Sequence, residues 1–379
     1  MIVGNLFREI AMNRLTRNVR RLCAALLAAL AGACLAEPLA RLPALNIDIA
    51  QTSVSGISSG GFMAVQFQVA HSATVRGAGI VAAGPWYCAR NDAVTATTRC
   101  SCTGEPVLRC EVTATSTEVP ELVARAREQG NAGAIDDPAN LAGHRVVMLS
   151  GEKDALVPKE ITTQLKAFYA ALGVPDGNLV SHPLANAGHT MPTTNFGVAC
   201  PLTDTPYIGK CGFDGAKALL KGIYPDMHGP ASSKPRGQYI RFDQKPYVPA
   251  DWPYSYLWNT GLDSSGWLYV PKSCARGERC RLHVALHGCK QGQSYLPLHP
   301  PPGGGLYYGT TFVRNTGYDR WADNNHLVVL FPQAVSIPGA NPNGCWDWWG
   351  YTDGHFADRQ GVQIRALRAM VEQLASGRR

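Results

Sequence analysis

A serine lies at the centre of a Gly-x-Ser-x-Gly pentapeptide within Val54-Ser55-Gly56-Ile57-Ser58-Ser59-Gly60-Gly61-Phe62-Met63. An apolar extended stretch precedes Ser58 and a helical stretch follows it. The small flanking residues let neighbouring backbone close on a sharp strand-to-helix turn. That context favours a nucleophile over an ordinary Gly-rich turn. A serine hydroxyl is too weak a nucleophile unaided and needs an imidazole base, itself oriented by a carboxylate. The matching order along the chain is Ser, acid, His. Asp154, in Leu149-Ser150-Gly151-Glu152-Lys153-Asp154-Ala155-Leu156-Val157-Pro158, follows an apolar run and is the candidate acid. Glu152 is its rival, and a solvated turn is the bland alternative. His189, in Asn186-Ala187-Gly188-His189-Thr190-Met191-Pro192, sits in a loop after the extended segment 179–183 and is the candidate base. His182 and His144 are alternatives, but each lies in or beside a strand-like segment, the setting of a packed structural His.

Acyl transfer also needs donors aimed at the developing oxyanion, and losing one costs roughly 100- to 1,000-fold in rate. The amide after the nucleophile, that of Ser59, is one candidate. The second normally comes from a strand-end loop earlier in the chain. Here only about twenty residues separate the end of the leader described below from Ser58. That is too few for the usual leading strands at roughly five residues each plus connections. The second half offers a substitute: Leu282-His283-Val284-Ala285-Leu286 reads as a strand and runs into His287-Gly288-Cys289-Lys290-Gln291, in the manner of an oxyanion loop. A metal-ligating or core His287 is the alternative.

These groups need a frame. Apolar runs at 79–83, 145–150, 282–286 and 327–331, bounded by Gly, Pro or Asn, predict buried strands. Segments 60–70, 121–129, 159–172 and 363–374 predict helices. Their alternation implies a mostly parallel α/β sheet with helices on both faces. With the oxyanion element after the triad rather than before it, the expected fold is a circularly permuted α/β-hydrolase. It is read as a single domain over 37–379, with a triad half 37–199, an irregular Pro-, Gly-, Tyr- and Trp-rich excursion 200–275, and an oxyanion half 276–379. The Pro/Gly-dense stretch 297–305 is expected at the surface.

The formal charge of +7 is concentrated at the start of the chain, where residues 1–36 hold five Arg and one Glu. The +3 left on the rest is too little to argue for a polyanion, so no nucleic-acid partner is expected. Basic residues through Arg21, the apolar run 22–35 and small residues at Ala33 and Ala36 read as a secretory signal peptide over 1–36, with Met12 as an alternative start. The run is shorter than the roughly 20 residues of a membrane span, so no stable membrane insertion is expected. Lipidation through Cys34 is a minor reading. Of 12 Cys, ten lie beyond this leader, and an even number in an exported chain favours disulfides. Cys200 with Cys211 and Cys274 with Cys280 are spaced to close local loops. A zinc site is disfavoured by the absence of a Cys-x-x-Cys pair.

Segments 55–63, 150–158, 187–192, 285–291, 312–325 (Phe-Val-Arg-Asn-Thr-Gly-Tyr-Asp-Arg-Trp-Ala-Asp-Asn-Asn), 330–333 and 341–351 (Asn-Pro-Asn-Gly-Cys-Trp-Asp-Trp-Trp-Gly-Tyr) together resemble the poly(3-hydroxybutyrate) depolymerases with a permuted catalytic domain. The resemblance implies Ser58, Asp154 and His189 as the triad, the Ser59 and Cys289 amides as oxyanion donors, and a Cys289–Cys345 disulfide. It implies a serine esterase, needing no cofactor, that acts on an aliphatic polyester or oligoester. Such a substrate offers methyl groups and ester carbonyls but no charge along its length. Trp346, Trp348 and His287 are therefore candidate substrate contacts, with Trp349 and Tyr351 beside them, and aromatics from Trp252 to Trp258 are candidates for adsorption. The insertion 297–305 and the lack of a separate substrate-binding module depart from many extracellular members. A secreted or periplasmic monomer is expected. A carbohydrate esterase for acetyl or feruloyl esters is the rival enzyme, and a binding protein on a retired hydrolase fold is the non-enzyme rival.

Overall fold

The computed structural model describes residues 39–231, 234–252 and 257–377, with nothing to say of the Leu257 and Trp258 side chains. The expected leader, with Met12 and Cys34, lies outside the described residues, as does most of the aromatic run 252–258.

In chain order the strands are β1 (Ile47–Ile57), β2 (Val75–Val81), β3 (Arg145–Gly151), β4 (Leu179–Leu184), β5 (Met191–Thr193), β6 (Val198–Ala199), β7 (Ile208–Lys210), β8 (Gln238–Asp243), β9 (Ser265–Val270), β10 (Cys280–Leu286) and β11 (Leu327–Phe331). Eight form one sheet in the order β4-β3-β2-β1-β10-β11-β9-β8, and β5, β7 and β6 form a small separate one. From β4 through β11 the large sheet is parallel; β9 and β8 finish that edge antiparallel. Every residue of β11 (Leu-Val-Val-Leu-Phe) is buried, which is why it reads as an unbroken apolar run. β1 is the central strand. The strands on one side of it come from later in the first half of the chain, and those on the other side from the second half, as a permuted sheet requires.

Five longer helices cover the sheet: α1 (Ser59–Ala70), α2 (Val119–Asn131), α3 (Lys159–Ala171), α4 (Gly215–Ile223) and α5 (Val362–Ala375). Every residue of α1 is buried, because it is packed between β1, β2 and α5. On the opposite face, Leu219 and Ile223 of α4 lie over Gly79 and Gly77 of β2.

One expectation needs correction. Segment 200–275 is not an irregular excursion: it supplies β7, α4, the edge strand β8 and its neighbour β9. An antiparallel edge is only half-buried, and β8 (Gln-Tyr-Ile-Arg-Phe-Asp) mixes exposed and partly buried positions, so it lacks the apolar run of a central strand.

Candidate active site

Ser58 follows β1 and caps α1 at φ 55, ψ −125, a backbone conformation unfavourable for a residue with a Cβ. Its N–H donates to Val81 O at 2.9 Å, and its carbonyl accepts from Phe62 N at 2.9 Å. The two pentapeptide glycines are required by contact: a Cβ on Gly56 would lie 2.1 Å from Gly60 O, and one on Gly60 would lie 2.3 Å from His287 O. The elbow and the loop after β10 are thus pressed together. A Cβ on Gly288 would sit 3.3 Å from Ser58 Cβ, which puts the 287–291 loop directly beside the serine.

Asp154 follows β3, with its side chain buried. Its Oδ1 accepts the Leu156 and Val157 amides at 2.9 and 2.8 Å, and its Oδ2 lies 2.8 Å from His189 Nδ1. This fixes the imidazole with Nε2 free of the carboxylate. Ser58 and His189 line the same cleft, of about 460 Å³. Among the described residues no hydrogen bond joins Ser58 Oγ to the ring, so the acid and base are joined while the serine shares only the cleft wall. The rivals are elsewhere: Glu152 is exposed in a turn, His144 is buried against Gln68 Nε2 at 3.2 Å, and His182 stands on β4 near Phe213.

All three expected disulfides form, Cys200–Cys211, Cys274–Cys280 and Cys289–Cys345, joined by Cys88–Cys100 and Cys102–Cys110. The Cys289–Cys345 bond ties the loop after β10 to the aromatic segment 345–351. There two expectations change. Trp346 is fully buried, not a cleft wall, and packs 5.5 Å from the His287 ring. His287 is also fully buried; its Nδ1 donates to Gly288 O at 2.7 Å and its Nε2 accepts from Ala334 N at 3.0 Å. Burial pushes His287 down to about 4, so the ring is neutral, the form able to donate from one nitrogen and accept at the other. With both nitrogens bound to backbone, His287 shapes the loop and has no group left for substrate. Trp348 does line the cleft, together with Trp349.

Phe62 was not foreseen. It lines the cleft and stacks on Trp348 at 4.1 Å and 12°. Its position four residues after Ser58, one helical turn along the same face, was the available signal. Asp347 was also missed: its buried carboxylate accepts the amides of Gly350, Tyr351 and Thr352 at 2.7, 3.0 and 3.0 Å, which folds the turn carrying Trp348 and Trp349. Among the described residues no group of three or more His, Cys, Asp or Glu is placed to hold a metal, and no helix is long and apolar enough to cross a membrane.

A mostly parallel sheet, with a strained serine at a strand-to-helix turn and a buried Asp–His pair opening on the same cleft, has the architecture of a serine hydrolase of the α/β type. No family model matches the chain. The chain is 41% identical over 342 residues to the poly(3-hydroxybutyrate) depolymerase of Delftia acidovorans, covering 89% of this chain but 62% of that protein. It is 36% identical to the polyhydroxybutyrate depolymerase of Talaromyces funiculosus, covering 89% of this chain and 93% of that one. A solved PHB depolymerase with a serine changed to alanine, complexed with an R3HB trimer, superposes with a TM-score of 0.76 at 33% identity, covering 90% of this chain and all of that one. The Penicillium funiculosum PHB depolymerase structure gives 0.75 at 34%, with the same coverage. The chain belongs to the poly(3-hydroxybutyrate) depolymerase family.

Proposed function

We propose that this protein hydrolyses the ester bonds of poly(3-hydroxybutyrate), related short-chain polyesters and their oligomers through an acyl-enzyme on Ser58. The observation that carries the reading is the Asp154–His189 pair at 2.8 Å opening on the cleft that Ser58 lines. His189 takes the Ser58 proton as the oxygen attacks the ester carbonyl, and the Ser59 and Cys289 amides hold the oxyanion. His189 then protonates the leaving hydroxyl, and water repeats the cycle to release the acyl group. The stacked Phe62 and Trp348, with Trp349, give the methyl-bearing chain an apolar wall. Five disulfides suit an oxidising compartment, and the protein is secreted or periplasmic and acts as a monomer.

The test is release of soluble 3-hydroxybutyrate or its oligomers from amorphous polymer, beside a Ser58→Ala variant. Release is expected from the wild type and a loss of at least about a thousandfold in the variant. Release by the variant at the wild-type rate removes Ser58 from the mechanism. Cleavage of p-nitrophenyl butyrate with no release from polymer removes the polyester and turns the reading toward acetyl or feruloyl esters.

A further inference from the structure

The cleft beside Ser58 is lined by two formally charged side chains, Glu105 and Lys290. Their segments rise from opposite sides of the nucleophile strand. Glu105 lies in the connection after β2, on the loop closed by Cys102–Cys110, and the Cys102 N–H donates to Leu156 O at 2.8 Å on the acid side. Lys290 lies in the loop after β10, next to Cys289. Since β2 and β10 flank β1 on its two sides, the two charged residues of the cleft belong to connections that follow strands on either side of the one that leads into Ser58.

Lys290 is the more demanding of the two. Its φ of 63 is in the left-handed region, where glycine is the least costly residue. The turn is pinned by its N–H, which donates to Asn343 O at 2.7 Å. Among the described residues its ammonium has no ion-pair or hydrogen-bond partner. A backbone position suited to glycine thus holds a long cation that reaches the cleft with nothing in the chain to neutralise it.

An aliphatic polyester is uncharged along its length and carries one carboxylate, at the end of the chain. We propose that Lys290 is a specificity-determining residue that binds this terminal carboxylate in short 3-hydroxyalkanoate oligomers. The inference rests on the polyester reading above. Lys290 adjoins the residue whose amide faces the oxyanion, so the carboxylate it binds lies within a few units of the scissile ester. A dimer or trimer meets that condition, whereas an ester deep within a polymer does not. Glu105 repels the same carboxylate from the other side and so favours one chain direction. Lys290 therefore directs the enzyme toward soluble, acid-ended products.

The test is kcat/KM for the 3-hydroxybutyrate trimer as free acid and as methyl ester, for wild type, Lys290→Gln and Lys290→Arg. All three keep a Cβ at the same backbone angle, so the turn is equally strained in each. Wild type is expected to favour the free acid about three- to fivefold, the size of a half-exposed ion pair. Lys290→Gln is expected to lose the preference, Lys290→Arg to keep it, and added salt to shrink it. A wild type indifferent to the end group, or a Gln variant with the wild-type ratio, overturns the inference while the polyester reading stands. If the wild type cleaves neither trimer yet still cleaves p-nitrophenyl butyrate, the polyester reading fails and this inference with it.

Discussion

The two sides of the cleft are built differently. On the side of the proposed triad, Ser58 and Asp154 are fixed by near neighbours: Phe62 N donates to Ser58 O, and Leu156 and Val157 amides clamp Asp154. On the side proposed to hold the oxyanion, the loop after β10 is fixed from far along the chain. Ala334 N reaches His287, Cys345 bonds Cys289 across 56 residues, and Gln291 Nε2 donates to Pro206 O at 3.0 Å. A site held by a few adjacent bonds fails sharply when one member is removed. A site held by many distant ties fails by degrees, because the remaining ties keep much of the geometry.

The sharpest failure is expected at Asp154→Asn. The Asn oxygen keeps a partner for the Leu156 and Val157 amides, but its amide nitrogen faces His189 Nδ1 as a donor and selects the wrong tautomer. A drop in kcat of about 10,000-fold follows, with the fold intact. The measurement is kcat on p-nitrophenyl butyrate beside a thermal melt. A loss under tenfold would pass the acid's role to another carboxylate, with Glu152 first in line.

The same contrast explains what the sequence discloses. Ser58, Asp154 and His189 each sit in a short local pattern, a small-residue elbow or a turn after an apolar strand, so each could be found within about ten residues. The permuted sheet followed from simple arithmetic, since the chain before Ser58 is too short for its leading strands. For His287 and Trp346 the local pattern points to the loop but not to the task, because whether a ring faces a cleft or a core depends on contacts such as Ala334, 47 residues from His287. Strand β8 escaped because an edge strand needs only partial burial. Asp347 escaped because an acid between two Trp reads as polar punctuation rather than as the buried centre of a turn.

Asp347 offers the next largest effect, one driven by pH. Burial pushes its carboxyl up to about 6, against the pull of Thr352, Gly350 and Tyr351, which hydrogen-bond the charged form. In the unfolded chain the group has an ordinary carboxylate value, so the folded state binds the proton more tightly. Its stabilisation is fully present below about pH 4 and is lost as pH rises through about 6, a span worth about 3 kcal/mol. Asp347→Asn removes this titration. Denaturant unfolding at pH 4, 5, 6 and 7 should show wild type gaining about 2.4 kcal/mol over the variant as pH falls from 7 to 4. A constant difference between the two across that range would mean the carboxyl does not titrate there.

The smallest effect tests the distant ties themselves. In a Cys289→Ser/Cys345→Ser double variant the covalent link is gone, but Cys345 O still accepts from Asn341 Nδ2 at 2.8 Å and from Tyr351 Oη at 2.9 Å. On the other strand of the link, Gly288 N still donates to Gln291 Oε1 at 2.7 Å, and the His287 ring still bridges to Ala334. The Cys289 amide therefore stays near Ser58 but is aimed less firmly. The expected cost is about tenfold to thirtyfold in kcat, below the roughly 100- to 1,000-fold of a donor removed outright. KM should change little, because the Phe62 and Trp348 stack does not depend on the bond. The comparison is kcat and KM on p-nitrophenyl butyrate for wild type and the double variant, with a thermal melt for folding. A folded variant that loses the full thousandfold would show that the disulfide alone aims the amide, and the oxyanion side would then fail as sharply as the triad side.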